Sequence, residues 1–564
     1  MTVLKGIFVY TLILLGLLLG VGIIIFGIMF FVPEFAVFGY KLYNGSSANN
    51  TYIVIADDSG ESQTQLDVLP TEAKTFDALV INAGSYIVNI TTKEEGDVNP
   101  PIFEYTFNQG LFGFIQAEAK GPSVSVGYSA SATVPGLEGT RKTITLTIKE
   151  PEGILINRQA ILTINIPSNK TNVGTIYIKN NNSAVSIQPA ELHPNFTLGN
   201  LVVDNGKSTI AVNKTTVTNR VVINKLGGSF KISENIAASL LLNCEQGEYV
   251  FKNVNTSGSN FANAVDITAL NANIQIGDVN GFLSLRTDLG LFRAGSIAGD
   301  FSAVGYSSET TRNSCDINVG AILGDASISN KGGNIHIGQL SKLVKAPQTY
   351  ASINTKAEIY STSGNLTIDN CFTKYIKVVS ERGSILINNM ASEANISTTY
   401  GNVELNYITA TFTLEGYIAA QIESAVAQLA TLPIKVATGV NRGDGNITVK
   451  NSMGKLDLQA KGSGAITATI SKITSASVIK SDRGKVDIVV PNQEFWLKWF
   501  TNKNAKVEVF SIVKQDKKST NAATNDFIGI QNPSCTHDTT SPANVSLDVL
   551  ASGADLKIID FTRL

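Results

Sequence analysis

Gly364-Asn365-Leu366-Thr367-Ile368 recurs as Gly383-Ser384-Ile385-Leu386-Ile387 and again as Gly401-Asn402-Val403-Glu404-Leu405, at separations of 19 and 18 residues. Before the second and third glycines lie two further alternating runs, Ile376-Lys377-Val378 and Ala394-Asn395-Ile396. Each period therefore holds two short strands joined by turns, with glycine where the chain must bend or take a positive φ. A unit this short cannot bury its apolar face alone, but stacked copies make a continuous core. The pattern predicts an all-β chain built on a parallel β-helix, a β-solenoid.

The same signature extends outward in both directions. Gly228, Gly247, Gly281, Gly333, Gly445, Gly464 and Gly484 each precede an apolar or alternating run, and Ser380-Glu381-Arg382-Gly383 is nearly copied by Ser481-Asp482-Arg483-Gly484. These runs predict a solenoid over 173–490. About sixteen coils at the ~4.8 Å strand spacing would give a rod on the order of 75 Å. Within it, Ile418, Ile422, Val426 and Leu429 fall at helical spacing before Pro433, which predicts a helical excursion over 416–432. Residues 44–167 are β-rich without the glycine period and are expected to form a membrane-proximal β domain; an irregular first section of the solenoid is the alternative. After Val490 the period fades again, and 491–564 is assigned to a C-terminal β cap over strand edges that would otherwise be unpaired.

At the front, residues 6–32 carry no charge. That run exceeds the roughly 20 residues needed to cross a ~30 Å hydrocarbon core, so it predicts a tilted transmembrane signal-anchor helix with residues 1–5 as a cytoplasmic stub. A cleavable signal peptide is the rival, but its apolar region is usually only ~7–15 residues long. Lys5 and the α-amine precede the span, while Glu34 and Lys41 follow it, so the positive-inside rule favours type II topology. The folded mass is then expected outside the plasma membrane, or in the lumen of the secretory pathway. Gly16 and Gly20 form one small-xxx-small pair that a partner helix could pack against in a homodimer.

Composition narrows the partners. Of 564 residues, 16% are charged and the net charge is −2, so no basic surplus exists to hold nucleic acid. Apolar content is 43%, with Ser, Thr and Asn abundant, as strands with uncharged polar outer faces would produce.

Thr163-Ile164-Asn165-Ile166-Pro167, the coils of Gly-x-aliphatic-x-aliphatic that follow it, and above all Ala394-Asn395-Ile396-Ser397-Thr398-Thr399-Tyr400-Gly401-Asn402-Val403 resemble the putative-adhesin family of bacterial and archaeal β-solenoid proteins. The resemblance spans 143–490. It implies a right-handed parallel β-helix and a surface or adhesive role, and it supplies no catalytic residues.

Twelve Asn-x-Ser/Thr sequons occur, at Asn44, Asn49, Asn89, Asn169, Asn181, Asn195, Asn213, Asn255, Asn365, Asn395, Asn446 and Asn544. Alternation about Leu366 and Ile368 turns Asn365 outward, and the same holds for Asn446 beside Ile447, so both are candidates for glycosylation. Cys244, Cys315, Cys371 and Cys535 lack zinc-ligand spacing; they allow two disulfides in an oxidising compartment, or small buried thiols. His193, His336 and His537 are widely separated, and no nucleophile, zinc-protease or phosphate-loop motif occurs. No enzyme, cofactor or metal is therefore expected, although an exported polysaccharide-acting enzyme stays the third reading. Arg442-Gly443-Asp444 is a tripeptide that integrin ligands present, and equally a tight turn. Trp496 and Trp499 could stack on a sugar ring or fill a cap core. The expected function is a single-pass surface protein holding a rigid solenoid for adhesion or for a protein or glycan ligand; the alternative is a structural component of a coat or appendage.

Overall fold

A computed structural model describes residues 2–32, 35–46, 50–56, 66–93, 101–118, 122–167, 172–179, 181–191, 196–255, 264–305, 314–341, 354–408, 432–439, 443–491, 495–502, 504–509, 514–518, 527–530, 546–553 and 555–560. Residues 416–431 of the predicted helical excursion lie outside this set. The chain divides into two compact units, Met1–Lys252 and Asn253–Leu564.

In the second unit the repeats become coils of two strands, each pairing in parallel with its counterpart one period on. Leu366 pairs with Ile385, and Ile385 with Val403, so the 19- and 18-residue separations in the sequence are steps along one ladder. The ladder continues inward-facing through Ile447, Ile466 and Val486. A second inward column runs Ile337, Ile368, Ile387, Leu405, Val449, Ala468 and Ile488. On the other strand of each coil, Ile359, Val378, Ile396, Val436, Leu458 and Ile479 stack in the same way. All of these side chains are buried. Each buried aliphatic contributes on the order of 1.5–3 kcal/mol, which no isolated coil could collect.

The glycine period has a steric cause. A Cβ on Gly383 would lie 1.7 Å from the carbonyl oxygen of Gly364, one on Gly401 2.0 Å from that of Gly383, and one on Gly464 2.0 Å from that of Gly445. At this corner each coil passes directly over the backbone of its predecessor, leaving no room for a side chain. Beside the column sit buried hydroxyls: Ser380 donates to the Gly383 carbonyl (3.0 Å), Thr398 to Gly401 (2.6 Å), Thr438 to Gly445 (2.6 Å) and Ser481 to Gly484 (2.7 Å). These bonds satisfy carbonyls that the turn leaves outside the strand ladders.

The first unit is assembled likewise, which corrects the expected separate domain at 44–167. Strand Ala78–Asn82 pairs in parallel with both Thr140–Lys149 and Asn172–Lys179; Ile87–Lys93 pairs in parallel with Gly153–Pro167 and Val185–Ile187. Residues 78–93 thus form a coil between those of 140–167 and 172–187, so the coils begin well before residue 173. The glycine period fails here because the next coil in space is not the next in sequence.

The C-terminal end of the second unit repeats this exchange. Strands Ser546–Ala551 and Leu556–Asp560 pair in parallel with Ser477–Ser481 and Val486–Val490 on one side, and with Trp496–Thr501 and Val507–Val509 on the other. Residues 546–560 therefore continue the coils, and the segment that precedes them in sequence stacks outside them. Phe527–Ile530 lies antiparallel on Trp496–Thr501. In the first unit Phe103–Gln116 lies antiparallel on Gly153–Pro167, and Ser123–Thr133 on Thr140–Lys149.

Helix Thr2–Phe31 carries no charge after Lys5, and its Tyr10–Phe31 segment is long and apolar enough to cross a membrane, with mean hydropathy 2.9. Its last turns meet the folded strands: Phe26 contacts Phe114 edge-on at 6.2 Å between ring centroids, and Met29 is buried. A short hairpin follows, Ala36–Val37 against Tyr40–Ser46, turning through Phe38 (φ 51°) and Gly39 (φ 80°).

Candidate binding face

Because strand residues alternate, the side chains between the buried columns form outward columns, one residue per coil. Glu358, Lys377, Asn395, Lys435 and Asp457 pair in succession along one of them. Lys377 Nζ stands 5.2 Å from the centre of the Tyr360 ring, a cation–π contact that belongs to this face. Further along, the side chains part to leave a groove of about 270 Å³. Tyr375, Glu393, Asn395, Lys435, Lys455 and Asp457 line it, over a floor formed by Ala394 and Ile434. Two ammoniums, two carboxylates, an amide and a phenol converge there without net charge. Such a surface can donate to and accept from a polyhydroxylated ligand, with the phenol ring as a stacking plane. Of the polar residues lining the groove only Asn395 stands out in the sequence, as a sequon; for Lys435 and Asp457 the available signal was charge at outward positions of consecutive coils.

A second array occupies the corner after the glycine column. Asp316 Oδ1 accepts the Asn334 N–H (2.7 Å), Asn334 Oδ1 accepts that of Asn365 (3.0 Å), and Asn365 Oδ1 accepts that of Ser384 (3.1 Å). Asn402 Oδ1 accepts the Asn446 N–H (2.9 Å), and Asn446 Oδ1 that of Ala465 (2.8 Å). The two sequons expected to face outward are thus exposed, but as rungs of an amide ladder.

The other sequons divide by burial. Asn395, Asn89 and Asn213 are half-buried. Asn181 and Asn255 are corrections: at 1% and 2% exposure they are inside the fold. Asn181 Nδ2 donates to the Tyr86 carbonyl (3.1 Å) while its Oδ1 accepts from the Ser183 N–H (2.9 Å) and the Ser208 hydroxyl (2.9 Å). Asn255 takes φ 60° and donates to the Asn280 carbonyl. Neither amide has room for a glycan in the folded chain. Asn49, Asn169, Asn195, Asn544, Arg442, His193, His537 and Cys535 lie outside the described residues, as do the side chains of Asn44 and Trp496.

The remaining candidates serve the fold. Gly443 is buried, and a Cβ there would meet the Thr399 carbonyl oxygen at 2.1 Å. Asp444 Oδ1 accepts the Ser463 N–H at 2.7 Å, and this bond holds its carboxyl below the usual range. Trp499 is buried on the strand that pairs with Ser546–Ala551, which corrects its place as a sugar-stacking surface. Cys244, Cys315 and Cys371 are free, buried thiols, which removes disulfides among these three. Burial pushes Cys244 and Cys315 up to about 12 and raises Cys371 as well. Gly16 and Gly20 have open space around them. His336 Nε2 lies 2.8 Å from Asp369 Oδ2 on the outer face. Among the described residues no group of three His, Cys, Asp or Glu side chains is placed to hold a metal ion.

Residues 299–430 match the model of the Toastrack DUF4097 family. The described part of that segment, 299–305, 314–341 and 354–408, holds successive coils of the second unit and includes the amide rungs from Asp316 to Ser384. No curated protein matches the chain. Among solved structures, a protein described as a putative cell adhesion protein from Clostridium sporogenes is 15% identical, over 46% of this chain and 92% of that one, with a TM-score of 0.16.

Proposed function

We propose that this is a single-pass membrane protein that presents a β-solenoid at the cell surface and binds a polyhydroxylated ligand, a glycan or a sugar-bearing protein, in the groove between Tyr375 and Asp457. The observation that carries the reading is the convergence of Tyr375, Glu393, Asn395, Lys435, Lys455 and Asp457 on one open groove, in a chain that also bears an exposed apolar helix of membrane-crossing length. Rigid coils hold these side chains at fixed spacing, so little ordering cost is left to the ligand. In this reading the solenoid is right-handed, its C-terminal end is capped by the strands around Trp499, and the protein is not an enzyme. Helix Thr2–Phe31 anchors it to the plasma membrane in type II orientation, with outer sequons glycosylated where the host permits. Gly16 and Gly20 offer a dimer contact. The reading accords with the family resemblance of Ala394–Val403.

Purified ectodomain applied to a glycan array and to intact cells tests it. Wild-type protein should bind a restricted set of sugars, and K435A/K455A should lose that binding while keeping its β-type circular dichroism. Binding that survives the double substitution unchanged would place the ligand elsewhere, and absence of any bound sugar or cell would end the proposal.

A further inference from the structure

Phe38 is 93% exposed, although it sits at a turn position that disfavours it. The hairpin pairs Val37 with Tyr40 across Phe38 and Gly39, both at positive φ, the pattern of a two-residue type I′ turn. Asparagine and glycine take such a position readily, whereas a bulky aromatic is strained there. A phenyl ring held in strain and offered to solvent is unfavourable on both counts unless something outside the protein receives it.

The surroundings say what that is. Phe31 at the helix end is 82% exposed, and Phe35 and Tyr40 on the hairpin segment are exposed as well, so both the end of the helix and the hairpin offer aromatic surface to their surroundings. The corner is fixed. The Phe35 N–H donates to the Val32 carbonyl at 2.9 Å, and Phe26 rests against Phe114. That same strand pairs Phe114 with Leu42 and Gln116 with Tyr40. Helix end, strand end and hairpin therefore meet a membrane together or not at all.

We infer that the Phe38 turn, with Phe31, Phe35 and Tyr40, is seated in the headgroup layer of the bilayer that the helix crosses, so that the protein grips its membrane by an aromatic collar as well as by a span. Aromatic rings concentrate at this boundary because they leave water there without entering the hydrocarbon centre. The inference rests on the membrane-anchored reading above.

Spin labels on the full chain, reconstituted into vesicles of phosphatidylcholine and phosphatidylglycerol, test it. Single cysteines at F38C and Y40C are compared with L18C in the helix and N219C, exposed on strand Thr215–Leu226, all in a C535S background in which the three buried thiols remain. The expected result is that F38C and Y40C lose broadening by a water-soluble nickel chelate, as L18C does, while N219C keeps it. If L18C is protected and both F38C and Y40C stay as open to nickel as N219C, the collar is overturned and the anchor stands. If L18C is open as well, the anchor fails and the collar with it.

Discussion

Asn365 Oδ1 accepts the backbone N–H of Ser384 at 3.1 Å, so this sequon's side chain joins one coil to the next. Only Nδ2 is the atom that glycosylation modifies, and the amide oxygen survives that modification. The fold and the glycan can therefore share one asparagine. Asn365→Asp should keep the rung, as Asp316 does at the start of the ladder, and should cost little stability. Asn365→Ala should cost about 0.5–1.5 kcal/mol, the net worth of one hydrogen bond. In a glycosylating host both variants should lose the same mass of glycan, so denaturant midpoints separate the structural role from the modification. Equal stability of the two variants would remove the rung.

Gly383→Ala places a methyl 1.7 Å from the Gly364 carbonyl oxygen, a contact that only backbone movement can relieve. The expected loss is at least about 1–3 kcal/mol, as for overpacked interiors. Gly127→Ala is the control: nothing lies within 4 Å of its Cβ, and a change within about 0.5 kcal/mol is expected. Chemical denaturation followed by circular dichroism distinguishes the pair.

The glycine column and the apolar columns were legible because each is a local spacing repeated between neighbours in sequence, and Leu366, Ile385 and Val403 show it directly. The end coils were not. Nothing within Ile87–Lys93 records that Gly153–Pro167 lies on one side and Val185–Ile187 on the other, since an alternating strand presents the same edges to any parallel partner. The same blindness made residues 546–560 part of a cap, when they pair with coils on both sides.

The groove was only partly legible for a related reason: Glu393, Lys435 and Asp457 come together through register, not through any motif. Asn181 shows a different limit. Asn-x-Ser is an acceptor for glycans, but it is equally the sequence of a turn in which the asparagine oxygen takes the N–H two residues on, as Ser183 supplies here. Burial decides between the two, and no local pattern reports it.

The three described cysteines give a chemical test of core closure. Cys371 is enclosed, with its sulfur 3.4 Å from the Ser392 hydroxyl and 3.7 Å from that of Thr373, and burial raises the pKa of all three thiols. A thiol reacts as its thiolate, so native protein at pH 8 should leave Cys244, Cys315 and Cys371 unmodified by iodoacetamide, and denatured protein should label all three without prior reduction. Peptide mass spectrometry reads the outcome. A requirement for reductant before labelling would mean that these sulfurs are bonded.

The last test concerns Asp444, whose carboxylate the Ser463 N–H and, to a smaller degree, the charge of Arg483 hold below the usual pKa. A carboxyl with a lowered folded-state pKa contributes stability above its unfolded pKa, roughly 3.9, and loses that contribution as pH falls through the folded value. Asp444→Asn retains an oxygen that can accept the same N–H but has no charge to titrate. Wild type should therefore melt above Asp444→Asn at neutral pH, and the gap should close on acidification below about pH 4. Melting curves of both proteins across that range read the effect. A gap that stays constant with pH would show that the carboxylate charge adds nothing to the turn, and that Asp444 is held there for its oxygen alone.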